Sequence, residues 1–436
     1  MFKLKENYTY LFFLFIILSI LSFFFGFSID ENSAGGGKGD FGNTWRNLQT
    51  FKNNSLLDAL KITSLGDSST FQSSRLPGVY IFHKFFNPFT ENTLQFRLSV
   101  FLFSLLVPIS FYYALKINFK KINPLYAILI SSLIFLSPYF RTSAIWGNEE
   151  NFGLLTLILS YIFLQLYLKE KFISKRFIFL NLLCLFSSLC IYFDQKLSFV
   201  PAICFFAIMI GSKKNFDKFY STTIYIIFAL PVFYFFYLWE GIMPPVDAES
   251  RGVLKGNLYF QHIGYSMSII AFYLAPLMLL IKGIFKSNLK YFLTNELLWF
   301  YFLIFIYIFY FIFIYEINNE IFLGKGVFFK LSEILFDNSF IQKIFLSFIF
   351  IISCLLILVV CNFKYNNIFI FSFLILLSII YWPVLQEYFD PLILILFFTF
   401  FKNEIELNEK FMSFIFIFFS FFLVSSNYYY SLTINS

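Results

Sequence analysis

Apolar runs of roughly 18 or more residues recur along the whole chain, and this constrains its fold more than any other feature. A helix of that length crosses the ~30 Å hydrocarbon layer and satisfies its own backbone N–H and C=O groups where no water can. Only 13% of the 436 residues are charged, against about a quarter in a soluble protein. The chain reads as an all-α polytopic membrane protein. Helices are expected near 8–27, 95–115, 123–140, 152–168, 177–193, 197–211, 219–239, 263–282, 296–315, 341–361, 367–384, 390–401 and 411–426, which makes about thirteen transmembrane helices. The 390–401 run is short enough for a broken or re-entrant helix. No internal repeat and no linker to a soluble domain is found, so residues 1–436 read as a single transmembrane domain. No nucleic-acid partner is expected.

The distribution of charge says more than the net +7. Lys3 and Lys5 precede the first span, which favours a cytoplasmic N-terminus. Counting spans from there, the basic clusters fall repeatedly on that same side: Lys116, Lys120 and Lys121; Lys169, Lys171, Lys175 and Arg176; Lys213, Lys214 and Lys218; Lys282, Lys286 and Lys290. The turns on the other side are poor in basic residues. The first apolar run is too long for a signal-peptide core and lacks a small-x-small cleavage site, so it reads as a retained span. The 72 phenylalanines, with high Ile, Leu, Lys and Asn, fit an AT-rich genome filling lipid-facing positions. Cys184, Cys190, Cys204, Cys354 and Cys361 lie in apolar runs without a CxxC pair, as packing residues do. His83 and His262 are too far apart to suggest a histidine metal site.

The longest polar segment is the external loop 28–94. It opens with SIDENSAGGGKGDF, where Asp30, Glu31 and Asp40 flank three consecutive glycines. Acids and glycines are ordinary turn residues. Yet such backbone can also approach a ligand closely, and such carboxylates can take a proton or hold a divalent cation. Further along, Trp45, Leu48, Phe51, Leu56, Leu57 and Leu60 recur at helical spacing between polar residues, the pattern of one or two surface helices. Segments 240–262 and 316–339 are also external; Pro244 and Pro245 exclude regular helix in the first, and the second has surface-helix character. Other external turns carry Arg75, then Arg141 with Glu149 and Glu150, then Asp194 with Lys196, then Glu387 with Asp390. Charge this close to lipid is costly unless partnered or hydrated, so several such groups on one face suggest a shared polar cavity.

This plan resembles the GT-C superfamily of membrane glycosyltransferases, of the protein mannosyltransferase and lipid A aminoarabinose transferase type. The local echoes are Asp30–Glu31 after the first span, Arg75–Leu76–Pro77 before the second, and PYFRTSAIWGNEEN at 138–151. The resemblance covers residues 1 to about 400, through plan and position more than any exact string. It implies a hexosyl or pentosyl group carried on a polyprenyl phosphate and passed, with inversion, to a lipid, glycan or protein acceptor outside the cytoplasm. Asp30 takes the place of the family's catalytic acid, and Glu31 or Asp40 can replace it. Arg75, Arg141 and Lys196 become phosphate contacts, with Glu149, Glu150, Asp194, Glu387 and Asp390 as supporting substrate-binding acids. The superfamily has metal-dependent and metal-independent members, so a divalent cation, magnesium or manganese, is a candidate cofactor. The expected location is a bacterial inner membrane.

Two other readings stand beside it. An O-antigen-type polymerase also handles polyprenyl-linked sugars, but usually places its large external loop later and fills it with arginines. A flippase or transporter is expected to show mid-membrane charges and broken helices in related halves. The short 390–401 run is the one feature that leans that way.

Overall fold

A computed structural model describes residues 6–65, 75–241, 244, 258–283, 298–317, 324–362, 364–380 and 384–434. Among the described residues the regular structure is all helical, with one isolated β-bridge, Ile281 to Ile405, and no strand. Among the described residues eight helices are long and apolar enough to cross a membrane, or nine if one sharply bent pair is a single span. Each of the thirteen expected segments overlaps helix, with residues 296, 297 and 381–383 of two of them outside the described residues. The count is lower because Gln195–Gly211, Leu298–Ile314 and Tyr365–Ile380 are shorter apolar helices, and Leu392–Phe398 has only seven residues.

The sequence reads as one transmembrane domain; the helices group into two compact units. The first comprises Met1–Gly256 and Phe419–Ser436, the second Asn257–Phe418. The first unit contains α1 (Glu6–Ser28), α2 (Gly37–Asn53), α3 (Leu56–Leu65), α4 (Gly78–Phe86), α5 (Thr93–Ser104), α6 (Leu106–Asn118), α7 (Pro124–Ser132), α8 (Pro138–Trp146), α9 (Glu150–Lys169), α10 (Ile173–Phe193), α11 (Phe199–Gly211) and α12 (Asn215–Trp239).

Helix α1 is apolar on every side, as a lipid-bathed helix can be. Its buried stripe is Phe12, Ile16, Ser19, Phe23 and Gly26, spaced four and three apart. Phe23 stacks on Phe101, with ring centroids 4.5 Å apart, and packs against Phe135 and Phe140. The opposite face leaves Phe13, Ile17, Leu21 and Phe25 exposed.

In segment 28–94, α2 and α3 are the amphipathic helices the spacing predicts. Leu48, Phe51 and Ala59 are buried with Val79 and Tyr80 of α4, against Phe96, Val100 and Phe152 of the bundle. His83 lies in this core. Its ring meets Phe96 and Phe152 edge-on, and its Nδ1 faces Asn87 Nδ2 at 3.0 Å. Burial pushes its pKa down to about 3. The imidazole is therefore neutral at ordinary pH and packed among aromatic rings.

Segment 123–140 does not run as one straight span. Helix α7 and its 3₁₀ extension Leu133–Leu136 stop at Ser137, and α8 leaves at a 67° bend. Pro138 lacks an N–H to continue the ladder, and Ser137 Oγ accepts the Phe140 N–H at 3.0 Å as an N-cap. Arg141, expected in a short external turn, therefore lies inside a helix.

All five cysteines are buried and free. In the second unit, Gly326–Leu335 is the expected surface helix of segment 316–339. Pro245 and most of 240–262 lie outside the described residues.

Candidate functional site

Helix α1 ends in a backbone motif that turns the acidic pair into opposite directions. Glu31 N–H donates to Gly26 O at 2.9 Å and Asp30 N–H to Phe27 O at 3.4 Å. Asp30 takes the left-handed conformation between them, with φ +52°. This is the Schellman end of a helix, whose left-handed position is usually glycine and sometimes asparagine. An aspartate there accepts a backbone cost in return for a fixed carboxylate at the helix end.

Asp30 points outward and is 60% exposed, but its carboxylate is bound by Arg97 of α5, which is 12% exposed. Arg97 is itself held on three sides. Nε donates to Ile145 O at 2.9 Å, the guanidinium lies 4.3 Å from the Trp146 ring centroid, and Nη2 reaches Asp30. The sequence reading missed Arg97, which sits unremarked in an apolar span.

Glu31 turns inward. Its carboxylate receives both arms of Arg141, Nε at 2.7 Å and Nη2 on the other oxygen. Arg141 also donates to Ser22 O at 2.7 Å, Ser22 Oγ at 3.1 Å and Phe135 O at 3.0 Å, a carbonyl freed by the bend. Both side chains are nearly fully buried. Gly26 leaves the room: a Cβ there would meet Glu31 Oε2 and lie 2.6 Å from Arg141 Nη2. Trp146 Nε1 adds a bond to Glu31 O at 2.9 Å. This is a buried clamp between α1 and α8, with Arg141 committed to protein groups.

The glycine run is packed, not open. Ala34 N–H donates to Thr142 Oγ1 at 2.9 Å, and Ser33 Oγ to Pro138 O at 3.0 Å. A Cβ on Gly35, which has φ +89°, would strike the Tyr430 ring; one on Gly37 would strike Thr142 and lie 2.8 Å from Trp146 Cδ1. Helix α2 then starts at Gly37, so four of the six residues of GGGKGD are helical. Gly39 meets nothing. Gly39→Ala should therefore raise stability by about 0.5–1 kcal/mol, as alanine does in a helix. Gly35→Ala should lower it by about 1 kcal/mol or more. Melting temperatures of the two variants in detergent should move in opposite directions.

A second charged group forms where α8 faces the turns before α9 and α11. Arg75 binds Glu149 and also lies 3.3 Å from Glu150. Ser143 Oγ donates to Glu150 Oε2 at 2.9 Å. Lys196 Nζ is 3.5 Å from Asp194, 3.4 Å from the Tyr139 hydroxyl and 4.9 Å from that ring's centroid. The charges act on one another: Arg75 and Lys196 both stabilise the Glu150 carboxylate, and Asp40 in the first turn of α2 acts on Arg75. Gly153 lets α9 approach the turn, since a Cβ there would lie 2.6 Å from Asp194 Cβ. Arg75, Glu149, Glu150, Asp194 and Lys196 thus come together, with Asp40 in electrostatic reach. Tyr139 and Ser143 join them on α8, one helical turn apart.

Of the four paired cations around these turns, Arg75 is the most open: 37% exposed, against 15% for Lys196, 12% for Arg97 and 3% for Arg141. Glu387 and Asp390 belong to the second unit. Among the described residues no group of three or more His, Cys, Asp or Glu is arranged to hold a metal ion.

Burial pushes the Glu149 carboxyl above its ordinary range, with Arg75 opposing and Glu150 adding to the rise. Burial does the same to Asp194, against Lys196. Glu149 Oε2 is buried without a hydrogen-bond partner among the described residues. A carboxyl whose folded pKa is raised binds more protons in the native state than in the unfolded one. Its contribution to stability therefore grows as pH falls through the folded pKa, and levels off below the ordinary carboxyl range. Glu149→Gln should flatten this part of the pH–stability curve, measured by melting temperature between pH 4 and 8 (roughly the span from the free carboxyl value to neutrality).

No family model matches this chain, and neither a curated protein nor a solved structure matches it.

Proposed function

We propose that this chain is an inverting glycosyltransferase. It moves a hexosyl or pentosyl group from a polyprenyl-phosphate donor to a lipid, glycan or protein acceptor on the non-cytoplasmic side of a bacterial inner membrane. One observation carries the reading: the Asp30 carboxylate at the end of the first span is fixed by Arg97 yet open to solvent. A general base has to be both positioned and reachable. Glu31 fails the second condition because Arg141 encloses it.

In this mechanism the acceptor oxygen or nitrogen attacks the anomeric carbon on the face opposite the phosphate. Its proton passes to Asp30. The bond from the anomeric carbon to the phosphate oxygen breaks, and its electron pair leaves with the polyprenyl phosphate. Arg75 supports that leaving charge, exchanging a carboxylate partner for a phosphate oxygen. Lys196 and Tyr139 line the approach beside Asp194 and Glu150. The aromatic-rich helices supply the apolar wall for the isoprenoid.

The experiment is reconstitution of the purified chain in liposomes with a radiolabelled polyprenyl-phosphate sugar. Label appearing on an acceptor supports transfer. Movement of the intact labelled lipid between leaflets without transfer would replace this reading with a flippase.

A further inference from the structure

The end of the first unit away from the acidic turns carries a different surface. Three connections meet there: 118–124 between α6 and α7, 169–173 between α9 and α10, and 211–215 between α11 and α12. They are tied side to side. Lys169 Nζ donates to Ile117 O at 3.1 Å. Arg176 Nη2 donates to Ser212 Oγ at 3.0 Å and to Asp217 Oδ2 at 2.6 Å.

Six lysines on or beside these connections are exposed: Lys120, Lys121, Lys171, Lys175, Lys213 and Lys214. None of them forms an ion pair among the described residues. Of the two nearby acids, only one is paired with a cation. Asp217 receives Arg176, Tyr167 and Ser212. Glu170 folds onto backbone, accepting the N–H groups of Lys171 at 2.8 Å and Phe172 at 2.9 Å. Large apolar side chains stand among the lysines: Phe172 is 68% exposed, Ile173 71%, Ile210 84% and Phe216 62%.

Six ammonium groups held together with the single unpaired carboxylate of Glu170 repel one another on balance, and bare phenyl and aliphatic groups are poorly placed in water. One environment relieves both costs, the boundary where anionic headgroups meet acyl chains. We propose that this collar binds anionic phospholipid, its lysines on the headgroup phosphates and Phe172, Ile173 and Phe216 seated at the acyl boundary. Helix α9 has 20 residues, so at 1.5 Å per residue the collar lies about 30 Å from Glu149 and Glu150. The surface is therefore separate from the site above, and its test does not depend on any transfer reaction. Because the three connections are bonded to one another, the lysines form one surface instead of three independent loops.

The test uses the full chain in nanodiscs of phosphatidylcholine alone, or of phosphatidylcholine mixed with phosphatidylglycerol. Lipid retained after extraction is counted by native mass spectrometry. Phosphatidylglycerol should be retained over phosphatidylcholine by about tenfold or more at low salt, with the preference shrinking as salt rises. The variant Lys171→Gln/Lys175→Gln/Lys213→Gln/Lys214→Gln should lose most of that preference while keeping its melting temperature in phosphatidylcholine. Should it misfold, Lys120→Gln/Lys121→Gln on the neighbouring connection should show a partial loss. Equal retention of the two lipids by the unaltered chain overturns the proposal, as does a well-folded lysine variant with undiminished preference.

Discussion

Arg141→Ala should lower the unfolding free energy by about 3–5 kcal/mol, the loss typical when one partner of a buried ion pair is removed. The reason lies in what stays behind. Glu31 would keep a nearly fully buried carboxylate stripped of a bidentate partner, and Phe135 O would lose the donor that covers it at the bend. Two segments 110 residues apart in sequence would lose their main tie. Glu31→Ala should cost a similar amount for the mirror-image reason. The double replacement Glu31→Leu with Arg141→Met should recover much of the loss, because an apolar pair of similar volume leaves no charge uncompensated. Unfolding in a mixed-micelle titration measures all three. A drop below about 1 kcal/mol for Arg141→Ala, the range of an exposed pair, would mean that the clamp is hydrated and unimportant.

Asp30→Asn should reduce sugar transfer by about 10²- to 10⁴-fold, the usual contribution of a general base. Asparagine suits this backbone, since it is the residue after glycine that most often takes the left-handed position at a helix end. Melting temperature should therefore stay close to that of the unaltered chain. Asp30→Gly sharpens the test: it relieves the backbone cost at φ +52° and removes the carboxylate altogether. A stable Asp30→Gly protein with full activity would move proton transfer to another acid, with Asp40 and Glu149 next in line. Arg97→Lys should fall between, because a lysine keeps the charge but not the fork that reaches Ile145 O and Asp30 together.

Much of this was legible in the residues. The apolar runs mark the long helices of the bundle, because a run of about 20 apolar residues crosses hydrocarbon as a helix with its backbone satisfied internally. The spacing of Leu48, Phe51 and Leu56 gives the two surface helices of the first loop, because one side of each had to be buried. Glu149 with Glu150, and Asp194 with Lys196, are neighbours in sequence, so their charge groups are visible as turns. Other features were hidden. Arg97 reads as a stray charge in an apolar span, and nothing local says that it reaches across 67 residues to Asp30. The helix across 123–140 looks continuous, although Ser137 and Pro138 are a capping residue and a breaker side by side.

What the sequence determined by itself is the solvent: composition and run length commit this chain to helices in lipid with acids at their ends. Periodicity does not say which stripe of α1 is buried, because an all-apolar helix gives no contrast between its faces. Only the tertiary structure decided that Asp30 faces water while its neighbour Glu31 is sealed against Arg141. One left-handed residue at the helix end divides the pair, and the partners that fix each carboxylate arrive from helices far along the chain.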